Sequence, residues 1–67
     1  MNALKSMREK RGLSQSQLAK KAMVDVRMVQ HYEQGFKDIN RANVLTVLRL
    51  AEALDCDITD ILNERDD

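Results

Sequence analysis

Apolar side chains recur along this chain in short sets, each set straddling a residue able to cap a helix. Leu13 and Leu18 bracket Ser14, and Val24 and Val29 bracket Asp25. In both places the polar side chain can accept from the free N–H groups of a first helical turn, and the apolar pair forms a staple across it. Gln17 stands three residues after Ser14, where it can accept from the Ser14 backbone and close a capping box. The pattern predicts one helix over about residues 15–22 and a second over about 26–34, the latter ended by Gly35 in the left-handed cap position. Ile39, Asn40 and Val44 repeat the device and predict a fourth helix starting after Asn40; Cys56, Asp57 and Ile61, with Asp60 three residues after the cap, predict a fifth. Ahead of these, Leu4, Met7 and Arg11 share one face of a first helix that Gly12 can end. No segment alternates apolar and polar positions with β-branched enrichment, so the reading is all-α: five short helices in one domain over residues 1–67.

Only a three- or four-residue turn separates the second and third helices. A pair so closely joined, over about residues 14–35, has the spacing of a helix-turn-helix, whose second helix can enter the DNA major groove. At 67 residues the chain has a marginal core and no room for a second domain. Proline is absent and glycine occurs twice, which argues against a flexible linker. No apolar run of about 18 residues and no secretory leader is present, so no membrane association and a cytoplasmic location are expected. The single cysteine, Cys56, reads as a small hydrophobe beside the last helix cap.

Formal net charge is zero, but the two halves differ. Residues 1–37 carry eight basic side chains against three acidic, and residues 38–67 carry three against eight. The half bearing the two closely joined helices is therefore positive by five charges, a dipole able to orient the molecule toward a polyanion. Ordinary solvated helix faces are the plainer explanation of the same runs.

Three segments carry a family resemblance: GLSQSQLA at residues 12–19, HYEQG at 31–35 and LRLAEALDCDITDILN at 48–63. In this order and separation they resemble the lambda-repressor-like helix-turn-helix family, the Cro and XRE type of bacterial and phage regulators. The resemblance implies a compact five-helix DNA-binding domain acting on double-stranded DNA.

Helical spacing sets Val26, Arg27, Gln30, His31 and Gln34 on one side of the third helix, opposite Val29, Tyr32 and Glu33. Arg27 can present two donors to guanine, Val26 can pack on a thymine methyl, and Gln30 or His31 can bond base edges one turn further in. The resemblance gives Val26, Arg27 and His31 the positions that most often touch bases. Ser14 and Gln15, at a helix N-terminus, suit a phosphate. Lys37 and Arg41, with Gln34 assisting, are expected to hold another phosphate on the far side. The family often pairs the positions of Arg8 and Glu33, which implies an ion pair fixing the first helix against the third. The chain departs from the family it resembles at three positions. Met23 stands where the turn has glycine and Asp55 where the next-to-last helix ends in glycine; each either holds a left-handed residue, at about 1–2 kcal/mol for Met, or takes a different turn. Met28 replaces a small hydroxyl residue, removing a phosphate contact.

Between Arg41 and Leu54, apolar residues span about 220° of the fourth helix, wider than the roughly 100° of an ordinary core-facing stripe. Either four surrounding helices absorb it or part is buried in a two-fold homodimer, through Leu50 or through Ile58, Ile61 and Leu62. The dimer is favoured, because readers of this kind bind paired half-sites. His31 is the only histidine and no Gly-rich loop or metal-ligand cluster occurs, so no catalytic residue, metal, cofactor or small-molecule substrate is predicted. The favoured function is a transcriptional repressor binding a (pseudo)palindromic operator as a homodimer. The alternative is a protein-interaction module, such as an antitoxin-like partner, that uses the same fold.

Overall fold

The computed structural model describes residues 2–63; Met1 and residues 64–67, which the domain range includes, lie outside the described residues, as do four of the charges counted in the C-terminal half. All regular structure among the described residues is helical: α1 (Ala3–Lys10), α2 (Gln15–Ala22), α3 (Val26–Gln34) and α4 (Val44–Ala53), with single 3-10 turns at Ile39–Arg41 and Ile58–Asp60.

The caps of α2 and α3 set their starts. The Ser14 Oγ accepts from the Gln17 N–H at 3.0 Å and the Gln17 Oε1 accepts from the Ser14 N–H at 2.8 Å, a complete capping box. Asp25 caps α3 by accepting from the Arg27 N–H at 2.8 Å. The helix ends share one device: a left-handed residue follows each helix, at Gly12, Met23, Gly35 and Asp55. After α2, the N–H of Val24 returns to the Ala19 carbonyl at 2.9 Å and that of Met23 to Lys20 at 3.2 Å, the two bonds of a Schellman closure. The same pair closes α4 through Cys56 to Ala51 and Asp55 to Glu52. Met23, at φ 60° and ψ 43°, thus keeps the glycine-type turn despite its side chain.

Two expectations need correction. The fourth α-helix does not start at Asn40. Asn43 caps α4, accepting from the Leu45 N–H at 2.8 Å, while Asp38 caps a separate 3-10 turn and Ala42 is extended between them. Asn40 is occupied elsewhere: its amide donates to the Asn63 carbonyl and accepts from the Asn63 N–H, both at 2.9 Å. The fifth helix is one 3-10 turn, so the described residues form four α-helices rather than five. Asp60 does accept from the Asp57 N–H at 3.0 Å, but the Asn63 N–H goes to Asn40 instead of extending the helix.

Leu4, Leu18, Val29, Ile39, Leu50, Leu54 and Ile61 form the fully buried centre, with α2 packed against both α3 and α4. At 100° per residue, the buried side chains Val47, Leu50, Ala51, Ala53 and Leu54 occupy about 160° of α4, and the apolar residues Val44, Leu45 and Leu48 lie outside that arc and are exposed. Leu50 and Ile61 are therefore enclosed by their own chain and cannot meet a second copy, whereas Ile58 and Leu62 are half-buried at the edge of the core. Long-range polar ties fasten both ends of α1. Asn2 donates to the Tyr32 carbonyl at 2.8 Å, and Arg11 donates to the carbonyls of Leu54 at 2.8 Å and Asp55 at 3.1 Å.

Candidate nucleic-acid interface

α3 buries one face and presents the other. Val29 and Tyr32 are buried, and the Glu33 side chain, next to them on the helix circumference, retains 3% of its exposure. Across the helix, Arg27 and Gln34 are exposed, and Gln30 and His31 are half-buried. Val26 begins this outer face but packs partly against the core, as Met28 does from the opposite side.

Glu33 is the junction that sets the orientation of α3. Its carboxylate accepts from Arg8 Nε at 2.7 Å, from Arg8 Nη2 at 2.9 Å and from Gln15 Nε2 at 3.1 Å. Arg8 also donates through Nη1 to the Leu13 carbonyl at 2.8 Å. One carboxylate thus joins α1, α2 and α3, with 12% exposure left on the Arg8 side chain. The hydrogen bonds that Arg8 donates to Glu33, working against the opposing effect of burial, hold the Arg8 guanidinium above its ordinary pKa. A bidentate pair of this kind gives geometric specificity, because the planar fork fixes direction as well as distance.

Around α3 the remaining polar residues divide by what already engages them. The Ser14 oxygen is taken by its cap bond, leaving its hydroxyl hydrogen to donate. Gln15 uses one amide N–H on Glu33 and has a second, so its amide is oriented by the same junction as α3. Lys37 and Arg41 are exposed beyond the end of α3. Lys37 is drawn there by its backbone N–H, which donates to the His31 carbonyl at 3.3 Å. Hydrophobic spacing does not display the roles of three residues here. Asn2 and Arg11, which pin the two ends of α1, act through contacts with residues 30 and 43 positions away, which no local pattern displays. Phe36 was also passed over, although it is an exposed aromatic beside His31, with ring centroids 5.9 Å apart.

Among the described residues, no group of three or more His, Cys, Asp or Glu side chains could hold a metal ion, and no helix is long and apolar enough to cross a membrane. Comparison with curated proteins finds no match. Among solved structures, the restriction-modification controller protein C.AhdI from Aeromonas hydrophila is similar: 30% sequence identity, a TM-score of 0.79, and coverage of 90% of this chain and 86% of that one. A helix-turn-helix family model matches residues 4–61, from α1 through the last buried isoleucine. With α2, a three-residue turn and α3 in the arrangement described above, the chain belongs to the XRE-type helix-turn-helix family of DNA-binding regulators.

Proposed function

We propose that this protein is a sequence-specific transcriptional repressor that binds a (pseudo)palindromic operator as a homodimer. The observation that carries the reading is the polar outer face of α3, held in one orientation by the Arg8–Glu33–Gln15 junction. Arg27 is the guanine reader on this account, with Gln30 and His31 bonding base edges further along and Val26 offering what remains of its surface to a thymine methyl. Ser14 and Gln15 hold one phosphate at the start of α2, and Gln34, Lys37 and Arg41 hold another beyond α3. Its likeness to a controller protein supports a regulatory role.

Two copies are needed to read two half-sites spaced about 34 Å apart. The domain is 33 Å in its longest dimension and 20 Å across, so two touching copies can place their α3 helices at that separation. Because Leu50 and Ile61 are enclosed, the apolar surface left for a partner copy is Val44, Leu45 and Leu48 of α4, with Ile58 and Leu62 contributing their exposed edges. Repression then follows from occupancy, since a dimer bound across a promoter excludes polymerase.

Selection of bound sequences from a random duplex pool, followed by titration at several salt concentrations, tests this reading. The expected result is an enriched site with two related halves and an affinity that falls as salt rises, through counterion release at each neutralised phosphate. Absence of any enriched sequence together with salt-independent binding overturns it.

A further inference from the structure

Phe36 is the only phenylalanine in the chain and is 76% exposed, whereas the one tyrosine, Tyr32, is buried. Its place is set by the end of α3. Gly35, at φ 83°, turns the chain back, and the Phe36 N–H donates to the His31 carbonyl at 2.9 Å. This return brings the Phe36 ring edge-on to the His31 imidazole, 5.9 Å away with the planes at 65°. The contact covers little of the phenyl ring and leaves most of its surface open, between the reading face of α3 and the exposed Lys37.

The position limits what the ring can meet. The 5.9 Å between the Phe36 and His31 rings is less than two base-pair rises of about 3.4 Å each, so the Phe36 ring comes close to whichever base pair His31 reaches. In the major groove the one apolar group on a base edge is the C5 methyl of thymine. We propose that Phe36 is a specificity-determining residue whose ring packs on a thymine methyl in or beside the base pair read by His31. This rests on the DNA reading given above. It adds a second apolar probe, beside Val26, to a face on which Arg27, Gln30 and His31 act by hydrogen bonding. Lys37, next in the chain, holds the adjacent phosphate and keeps the ring at the groove wall.

The test replaces each thymine of the selected site, one at a time, with deoxyuridine, which removes the methyl and leaves the hydrogen-bonding edge intact. For the full chain, one such change is expected to weaken binding about fourfold, the equivalent of one buried methyl. In Phe36→Ala the same change has no effect, and in Phe36→Leu, which keeps an apolar side chain, the effect persists. Far-UV circular dichroism confirms that the variants retain their helices. The proposal is overturned if deoxyuridine acts alike in the parent and Phe36→Ala at every thymine, if Phe36→Ala weakens all sequences equally, or if the selected site lacks thymine. A change in oligomeric state on Phe36→Ala, showing that a second copy covers the ring, also overturns it. Failure of the parent protein to enrich any site refutes the DNA reading itself, and flat deoxyuridine results on an enriched site refute only the role of Phe36.

Discussion

Met23 holds a left-handed backbone with its side chain 79% exposed, so its replacement by glycine isolates backbone strain from packing. A non-glycine residue in this conformation costs about 1–2 kcal/mol. Glycine removes that cost but enlarges the conformational freedom of the unfolded chain, which takes back about 0.5–1 kcal/mol. Little apolar burial is lost, so Met23→Gly is expected to stabilise the domain by about 0.5–1 kcal/mol. At about 4–8 °C per kcal/mol for a domain of this size, the melting temperature rises by about 2–8 °C. Thermal unfolding followed by circular dichroism reads this shift, and urea titration with an unchanged slope assigns it to the folded turn. Gly35→Ala, at φ 83°, is the opposing control and lowers stability. An unchanged or lower melting temperature for Met23→Gly refutes the assignment of strain to this turn.

Removing one partner of the Arg8–Glu33 pair by Glu33→Ala is expected to cost about 3–5 kcal/mol, because the largely buried guanidinium loses its counter-charge and keeps only the Leu13 carbonyl; Arg8→Met combined with Glu33→Leu recovers much of the loss. Urea titration of the single and double variants measures both effects, and a single-variant loss below 1 kcal/mol contradicts them. Leu48→Lys places a charge on the exposed apolar surface of α4 and is expected to shift sedimentation toward monomer and weaken operator binding without unfolding the domain; an unchanged dimer removes that surface from the interface. Burial, with the Asp60 carboxylate adding to it and Arg11 opposing, raises the Cys56 pKa. The folded thiol therefore reacts with iodoacetamide more slowly at neutral pH than the same cysteine in the urea-unfolded chain. Its contribution to stability is full below the unfolded pKa and is lost as pH rises through the folded one, so urea midpoints fall above about pH 8.5.

Local signals revealed the parts of this fold that local chemistry builds. Ser14 with Gln17, Asp25, Gly12 and Gly35 each act within a few residues, and the two closely joined helices follow from them. Asn40 shows where such reasoning stops. Its neighbours Ile39 and Val44 match a staple, yet its amide is committed to Asn63, 23 positions later, leaving Asp38 and Asn43 to cap the neighbouring turns. The outer arc of α3 was legible from periodicity, but partial packing of Val26 was not, because it depends on what surrounds the helix. Leu50 and Ile61 illustrate the same limit from the other direction: an apolar arc on one helix does not reveal which part of it the rest of the chain already covers.

The central claim, that α3 reads base sequence, is tested most directly by anisotropy titration of Arg27→Ala and Lys37→Ala on the selected duplex and on its single-base variants at two salt concentrations. Arg27→Ala is predicted to lose about 1–3 kcal/mol on the parent site and to lose its preference at one guanine-containing position. Lys37→Ala is predicted to weaken all sequences alike and to lower the salt slope by about one. If both variants weaken every duplex equally and no base preference changes, α3 does not read sequence through Arg27.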